Sequence, residues 1–320
     1  MSKKIIIFTG DPNSINSEII YKCWKKLNNK IKKKSYFISN FQLLKSQFKK
    51  LKYKVKVIKV ENIKENEYSN AIKVIDVNLK FKNPFKVESH NSSFFVNNSL
   101  NLMHKYGLND DVAGVINLPI NKNLLKRKNI GVTEYLASKC KIKKNSEAML
   151  IKSDNFSVSP ISTHIDVNKI SKKIKKTIII NKVKTIQKFL KKLLKRKPKI
   201  GLLGLNPHNA ELKKNSEERK IIIPSIKKLK KIDFNIKGPL VADTVFIRDF
   251  KNFDVIVGMY HDQVLAPFKS IYKFNAINIT LGLKYIRVSP DHGIAADLIG
   301  KNKADITSIN KCFTFLDNLS

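Results

Sequence analysis

Acidic residues are scarce in this sequence: 25 Asp and Glu stand against 63 Lys and Arg in 320 residues, a formal charge of +38. Such an excess of positive charge is typical of proteins that bind nucleic acid or an anionic surface. The lysines are spread along the whole chain, however, and many alternate with Ile and Leu as on solvated helix faces. We therefore interpret the charge as a compositional bias towards Lys, Ile and Asn. We expect weak, salt-sensitive binding to polyanions and no specific nucleic acid partner.

Cysteines and long hydrophobic runs are also rare. Three scattered cysteines, Cys23, Cys140 and Cys312, exclude a disulfide framework and a Cys-based zinc site, and they fit a reducing compartment. No stretch approaches the roughly 18 apolar residues of a membrane span. The apolar run at 5–8 is too short for a secretion signal. We expect a cytoplasmic protein that does not associate with membranes.

Glycine is sparse where a nucleotide loop would need it. The first predicted strand ends in Gly10-Asp11-Pro12, and residues 10–17 contain a single glycine. A Rossmann dinucleotide fingerprint needs a glycine-rich turn at this place. The sequence therefore offers no Rossmann phosphate loop.

Short apolar runs alternate with amphipathic, lysine-rich segments, and this alternation predicts an α/β fold with a mostly parallel sheet. The length allows two domains. Strands are predicted at 5–9, 35–39, 53–60, 72–78, 112–118, 149–152, 156–158, 200–205, 255–257, 277–280 and 285–288. Helices are predicted after Ser14 or Ser17, from Thr133 as N-cap, at 168–197 and 215–231, after 238–244, and from about Asp305.

The stretch Tyr260-His261-Asp262-Gln263, continuing to Lys269, follows the predicted strand at 255–257. We interpret it as a polar loop at the carboxyl end of a strand, where open α/β sheets bind ligands. The alternative is a loop whose His and Asp only bind its own backbone. This stretch alone does not separate the two interpretations.

Three of the six histidines, His164, His208 and His261, each follow a predicted strand. If those strands are parallel neighbours, the imidazoles share one edge of the sheet and can converge as in a catalytic zinc-type site. Because the separations along the chain are long, the spacing alone favours three unrelated loop histidines over a metal site. His90 and His104 lack this context.

Taken together, several motifs resemble the 4-hydroxythreonine-4-phosphate dehydrogenase family. Two of them read Tyr260-His261-Asp262-Gln263 and Ser289-Pro290-Asp291-His292-Gly293. The other matching segments lie in order along nearly the whole chain, at 10–12, 119–122, 133–137, 163–164, 204–208, 238–240, 242–244, 267–269, 278, 280–283 and 286–287.

The resemblance implies NAD-dependent oxidation of 4-phosphooxy-L-threonine, with decarboxylation to 3-amino-2-oxopropyl phosphate, in pyridoxal phosphate biosynthesis. It implies NAD, or NADP, and a divalent metal, with Zn²⁺ expected first and Mg²⁺ or Co²⁺ as alternatives. The residues it implies are His164, His208 and His261 for the metal; Thr133, Lys269, Asn278 and Arg287 for the substrate; Lys269 and Asp243 for catalysis; and His292, Gly293 and Asp305 for the cofactor.

The resemblance also implies the fold of isocitrate and isopropylmalate dehydrogenases, with two α/β/α domains around a central cleft. A discontinuous domain, 1–126 and 271–320, carries the NAD loop. An inserted domain, 127–270, carries the metal ligands and the dimer contacts. Family members are homodimers whose metal site draws on both subunits.

The chain departs from the family pattern at a few positions. Val132 stands where the family usually has a His that contacts substrate, and Ser14, Asn16, Ala210 and Val264 stand where it has glycines. Val132 motivates an alternative substrate, a related acid such as 4-phospho-threonate or 4-phospho-erythronate. A second alternative is a nucleic acid-binding protein on the same scaffold, which the retained histidines argue against.

Overall fold

The structure, a computed structural model, describes residues 3–64, 70–125, 131–142 and 145–319. Its strands are β1 (Lys4–Phe8), β2 (Ser35–Ser39), β3 (Lys56–Val60), β4 (Ala71–Asp76), β5 (Val112–Asn117), β6 (Ala148–Lys152), β7 (Ser157–Ser162), β8 (Ile200–Leu203), β9 (Ile236–Leu240), β10 (Val255–Tyr260), β11 (Ile277–Leu281) and β12 (Arg287–Pro290).

The α-helices are α1 (Asn16–Lys26), α2 (Asn29–Lys34), α3 (Phe41–Lys50), α4 (Ser89–Gly107), α5 (Val132–Lys139), α6 (Ile170–Lys173), α7 (Lys176–Leu194), α8 (Ile223–Lys231), α9 (Ala242–Arg248), α10 (His261–Tyr272) and α11 (Thr307–Asp317). Short 3₁₀ segments and one π-helical turn, Glu218–Ile222, connect some of them. None of the described helices is both long and apolar enough to cross a membrane.

The chain forms two compact units. The first unit comprises Met1–Cys140 and Leu283–Ser320, and the second unit comprises Lys141–Gly282. The α/β class agrees with the sequence. The two units divide after Cys140 and after Gly282, whereas the domain boundaries expected from the sequence are 126/127 and 270/271. The predicted boundary at 126/127 lies outside the described residues, and β11 lies in the second unit because it pairs with β6.

The first unit has a parallel sheet in the strand order β3-β4-β2-β1-β5-β12. Its central strands β1 and β2 are mostly apolar and buried, as expected for a parallel sheet that is covered on both faces. Helix α3 begins where the Asn40 side chain accepts a hydrogen bond from the Leu43 N–H. Helix α5 belongs to this unit because Tyr135 and Leu136 pack in its core.

The second unit has the strand order β11-β6-β7-β10-β8-β9. Strands β11, β6 and β7 pair antiparallel, whereas β7, β10, β8 and β9 are parallel. Its core contains an aromatic cluster around Phe156, which packs against Phe250 at 5.2 Å and Phe268 at 6.2 Å between ring centroids. Burying a side chain such as Phe268 stabilises a fold by about 1.5–3 kcal/mol. This contact anchors α10, the helix that begins at His261.

Most strands lie where the sequence predicts them, and three local predictions are wrong. The stretch 260–269 is not a loop, because α10 begins at His261 directly after β10. Thr133 is not an N-cap, since Gly131 takes that position and Thr133 lies in the first turn of α5. The long helix predicted at 168–197 is interrupted between α6 and α7.

Candidate metal and substrate site

The three candidate metal ligands follow three neighbouring strands of the second unit. His164 lies just after β7, His208 lies in the turn after β8, and His261 is the first residue of α10 after β10. Strand β10 pairs in parallel with β7 on one side and with β8 on the other. The carboxyl ends of these strands therefore share one edge of the sheet. This is the arrangement that the three imidazoles require if they are to converge.

Two of the three imidazoles come close together. The ring centroids of His164 and His261 are 5.9 Å apart, with 35° between the ring planes. Zinc–imidazole bonds of about 2.0–2.1 Å place two rings that share one ion at a separation of this order. Within the described residues of one chain, however, no group of three or more His, Cys, Asp or Glu side chains is arranged to hold a metal ion. One chain thus offers a pair of imidazole donors, which fits part of a metal site.

The neighbouring Asp262 orients His261. The His261 Nδ1 lies 2.6 Å from the Asp262 Oδ1, and because a carboxylate only accepts, the ring nitrogen donates. This bond fixes the tautomer in which Nε2 carries the lone pair. A carboxylate on the far nitrogen is the usual support of a metal-binding imidazole. The arrangement therefore prepares His261 for coordination through Nε2.

The backbone at His164 and His208 is left-handed. His164 has φ +51° and His208 has φ +48°, and φ stays positive from His208 to Leu212. A left-handed conformation disfavours a residue with a Cβ by about 1–2 kcal/mol. Ala210, where the family has glycine, has φ +51°. Ala210 therefore lies in a left-handed turn, Pro207–Leu212, whose conformation favours glycine.

Contacts from outside hold the turn in place. The Asn209 Nδ2 donates to the Pro239 carbonyl at 3.1 Å. Burial raises the pKa of the Glu218 carboxyl, but hydrogen bonds from the Asn206 backbone and side chain and from the Leu205 N–H outweigh burial, and the pKa is lowered. Glu218 is therefore a buried carboxylate beneath the segment that leads to His208.

The other predicted residues of the second unit lie on three elements. Lys269 is half-buried in α10, two turns beyond His261, and Asp243 is exposed in the first turn of α9. Asn278 lies in β11, and its Oδ1 is buried without a hydrogen-bond partner among the described residues. A buried amide oxygen without a partner is suited to receive a donor from a ligand.

The first unit carries the remaining predicted substrate residues. Arg287 is 4% exposed in β12, and its Nε donates to the Asn117 Oδ1. Burial lowers the pKa of Arg287 to about 10, with Tyr285, Cys312 and Glu134 opposing that effect. Arg287 therefore remains a cation at neutral pH. Thr133 directly precedes Glu134, whose charge raises the pKa of Arg287.

The predicted cofactor residues lie between β12 and α11. The His292 Nδ1 donates to the Gly293 carbonyl at 2.9 Å, and burial lowers the pKa of His292 although Asp291 and Asp305 oppose it. The Thr307 backbone and hydroxyl lower the pKa of Asp305. A Cβ added at Gly293 would meet no atom within 4 Å. The loop thus presents an open backbone and an ionised carboxylate.

Sequence reasoning assigned no role to Glu218 or Gln263. Glu218 lies within the helix predicted at 215–231, and its carboxylate accepts hydrogen bonds from the backbone N–H groups of Leu205 and Asn206. No local pattern signals a contact across twelve or thirteen residues. Gln263 belongs to a recognised motif, but the fold alone brings its side chain to the Gly204 carbonyl.

The other departures from the family pattern are accommodated by packing. The Asn16 Nδ2 donates to the carbonyls of Thr9 and Pro119 at 3.0 and 2.9 Å. Val264 is fully buried in the core of the second unit. Val132 is half-buried and packs against the core of the first unit. These replacements make contacts of their own where glycine or His stands in the family.

Comparison with known proteins shows which family this chain is similar to. The model of the family described as pyridoxal phosphate biosynthetic protein PdxA matches residues 30–315. A 4-hydroxythreonine-4-phosphate dehydrogenase of Sulfurihydrogenibium sp. (strain YO3AOP1) is 37% identical over 95% of this chain and 94% of its own. A putative D-threonate 4-phosphate dehydrogenase of Oceanobacillus iheyensis is 30% identical over 97% of this chain and 96% of its own.

Among solved structures, the chain is similar to the 4-hydroxythreonine-4-phosphate dehydrogenase of Klebsiella pneumoniae. The TM-score is 0.87 at 26% identity, and the match covers 99% of both chains. Sequence and structure thus agree over nearly the whole length. The chain belongs to the family of the pyridoxal phosphate biosynthetic protein PdxA.

Proposed function

We propose that this chain is an NAD- and divalent-metal-dependent dehydrogenase that oxidises 4-phosphooxy-L-threonine and yields 3-amino-2-oxopropyl phosphate and CO₂. The observation that carries the proposal is the match, over 95% of the chain, to a relative named for this activity. The retained histidines and the paired rings of His164 and His261 support it. We further propose that the enzyme acts in the cytoplasm, where its three free, buried cysteines stay reduced.

His164, His208 and His261 are the proposed metal ligands. A divalent ion, when bound, supplies a Lewis acid to the substrate's hydroxyl and later to its carbonyl. The Asp262 carboxylate binds the His261 Nδ1, so the lone pair on the His261 Nε2 points away from Asp262 and is available to the metal. Neutral imidazoles suit Zn²⁺ better than Mg²⁺, which prefers oxygen ligands. Zn²⁺ is therefore the first metal to test, and Mg²⁺ and Co²⁺ follow.

We propose a homodimer in which a second copy completes the donor set that one chain leaves partial. Large aliphatic side chains of the second unit are exposed, including Val167 at 78%, Ile247 at 74% and Leu212 at 41%. Helix α9, which carries Ile247, packs on the turn that carries His208 and Leu212. Exposed apolar groups of this size favour burial against a partner.

Cationic and amide side chains are proposed to bind the substrate. Lys269 and Arg287 supply the positive charge for a phosphate and a carboxylate, and Arg287 remains protonated because its pKa stays at about 10. Asn278, with an unpaired Oδ1, accepts a hydrogen bond from the substrate, and Thr133 contributes a hydroxyl.

Proton transfer is proposed to involve Asp243 and Lys269. The hydroxyl proton leaves to a base as the C–H hydride is transferred to the nicotinamide, and the C–C bond to the carboxylate then breaks. An exposed carboxylate such as Asp243 can accept a proton, and an ammonium such as Lys269 can return one to the product carbon. His292, Gly293 and Asp305 are proposed to bind the cofactor, with NAD or NADP as the hydride acceptor.

The direct test is NADH formation from 4-phosphooxy-L-threonine, followed by absorbance with and without a chelator. We expect turnover with Zn²⁺, its loss with chelator and its return when Zn²⁺ is restored. No NADH at saturating metal and substrate, in a folded protein, would overturn the proposed activity. Turnover that survives complete metal removal would overturn the metal dependence alone.

The matching variant is His208→Ala. Removing one of three ligands should abolish turnover, a loss of at least about 10³-fold in kcat/KM, while the unfolding midpoint stays unchanged because His208 is exposed. His90→Ala, at an exposed position in the first unit, is the control. Full activity in His208→Ala would contradict the ligand assignment.

A second candidate substrate is D-threonate 4-phosphate. It is favoured by the relative of Oceanobacillus iheyensis and by Val132, which replaces a substrate-contacting His. The two substrates differ in carrying an amino or a hydroxyl group on the carbon that bears the carboxylate. Comparison of kcat/KM for the two acids, under the same metal and cofactor, decides between the candidates.

A further inference from the structure

Gln263 joins the two strand ends that carry His208 and His261. It lies in the first turn of α10, two residues after His261. Its Oε1 accepts the Met259 N–H at 2.7 Å, within β10. Its Nε2 donates to the Gly204 carbonyl at 2.7 Å, at the end of β8. One side chain thus spans from the strand before His261 to the segment before His208.

Glu218 holds the same segment from the other direction. The side chain is fully buried. Its Oε1 accepts the N–H groups of Leu205 and Asn206, both at 2.8 Å, and its Oε2 accepts the Asn206 Nδ2 at 3.0 Å. These donors lie past the end of β8, where strand pairing no longer provides partners for the backbone.

Close packing leaves these contacts little freedom. A Cβ added at Gly204 would lie 2.0 Å from the Asn209 Oδ1, and one added at Gly258 would lie 2.9 Å from the Gln263 Oε1. Glycine therefore makes room for the side chains that hold the turn. Since the left-handed turn Pro207–Leu212 is intrinsically unfavourable, contacts from outside it must keep its geometry.

We propose that Gln263 and Glu218 are positioning residues of the metal site: Gln263 sets the spacing between the His208 turn and the start of α10, and Glu218 holds the segment before that turn. Both act through the histidines and neither is a ligand. This inference rests on the proposed function, because it presumes that His208 and His261 are both metal ligands.

The test for Gln263 is Zn²⁺ affinity, measured by competition with a chromophoric chelator. Gln263→Leu removes both hydrogen bonds. The matched control is Gln47→Leu in the first unit, where the buried Gln47 Nε2 donates to the Pro12 and Pro84 carbonyls at 2.9 and 2.8 Å. We expect Gln263→Leu to weaken Zn²⁺ binding by about tenfold or more, as removal of a ligand's support typically does. Gln47→Leu should keep wild-type affinity although it also lowers the thermal unfolding midpoint.

A double-mutant comparison separates positioning from general destabilisation. If Gln263 acts by placing His208, Gln263→Leu should have no further effect on Zn²⁺ affinity once His208→Ala is present. An equal loss in both backgrounds, or an equal loss in Gln47→Leu, overturns the inference. If His208→Ala itself leaves Zn²⁺ affinity unchanged, the metal-site proposal is wrong, and the two failures remain distinguishable.

For Glu218 the conservative variant is Glu218→Gln, which keeps the shape and one acceptor oxygen. Its control is Glu18→Gln in the first unit, because Glu18 is also buried and its Oε1 accepts the Ala304 N–H at 2.7 Å. We expect weaker Zn²⁺ binding only for Glu218→Gln. Unchanged Zn²⁺ affinity in Glu218→Gln, with the protein folded, overturns the role of Glu218.

Discussion

Val132 opens α5 with an apolar side chain where the family usually has His. It packs against the core of the first unit, so it gains burial and gives up a hydrogen-bond donor. The neighbouring Thr133 keeps the hydroxyl that we propose contacts the substrate. The substitution therefore changes one contact of the proposed substrate site without removing the rest.

The corresponding prediction is that Val132→His restores a substrate contact. The KM for 4-phosphooxy-L-threonine should fall about tenfold or more, since a hydrogen bond to a charged group contributes about 1.5–3 kcal/mol. The ratio of kcat/KM between this acid and D-threonate 4-phosphate should change in the same variant. Steady-state kinetics with both acids is the measurement, and an unchanged ratio would show that this position does not select the substrate.

His104 makes a second residue-scale prediction, on stability rather than activity. Burial, aided by the charges of Lys139 and Lys284, lowers the pKa of His104 from 6.5. Its Nδ1 lies 3.1 Å from the Tyr285 hydroxyl. The native state therefore favours the neutral ring, whereas the unfolded chain binds a proton near the ordinary pKa. Below that pKa the unfolded state holds more protons, so the free energy of unfolding falls as the pH falls.

We expect wild-type protein to lose more unfolding free energy between about pH 7.5 and about pH 5.5 than His104→Gln does. Urea denaturation at a series of pH values measures this slope. His90→Gln, at an exposed position, should follow the wild-type slope. The idea fails if His104→Gln shows the wild-type dependence on pH.

At the scale of elements, the left-handed turn Pro207–Leu212 is the least expected feature. Ala210 lies at its centre with φ +51°. Ala210→Gly should raise the free energy of unfolding by roughly 0.5–1 kcal/mol, because relief of the left-handed strain exceeds the added entropy of the unfolded chain. Ala266→Gly in α10 is the control and should lower it by about 1 kcal/mol, since its backbone is right-handed helix. Denaturant unfolding curves measure the free energy of unfolding of both variants. A change of the same sign in the two variants would refute the strain argument.

The elements differ in how far the sequence predicts them. Buried β-branched runs such as β1 and β2 were predicted closely because their signal is local. Helix α10 was missed because Pro267 and four polar residues obscured the helical spacing of Val264, Leu265 and Phe268. Pro normally disrupts a helix interior, and here buried aromatic packing compensates.

The candidate site was predictable by residue type but not by contact. His164 and His261 are recognisable from motifs, and their neighbouring strands follow from the α/β pattern. The contacts of Gln263 with Gly204 and of Glu218 with Asn206 join residues 59 and 12 positions apart. Sequence periodicity contains no information on such pairs, because they arise when separate strands are brought side by side.

At the scale of the whole molecule, most of the lysines that give the chain its large positive charge lie on solvent-exposed faces. Acidic side chains pair with cationic side chains at the surface, as Asp166 does with Lys169 and Asp254 with Arg196. Exposed pairs of this kind contribute little to stability, because water and salt screen them. The positive charge of each copy opposes association. Burial of the exposed aliphatic side chains is therefore the contribution that can offset this repulsion in a dimer.

Ile247, 74% exposed on α9, is the residue through which assembly is tested. If two copies bury this surface, Ile247→Lys places a charge in an apolar contact and should shift the protein from dimer to monomer in size-exclusion chromatography with light scattering. Because one chain offers only part of the donor set, the monomer should also bind Zn²⁺ more weakly than wild type. Ile232→Lys, the same change at a 45% exposed position of the second unit, should alter neither property. A dimer that persists in Ile247→Lys would show that Ile247 lies outside the interface. A monomer with wild-type Zn²⁺ affinity would show that one chain completes its own site.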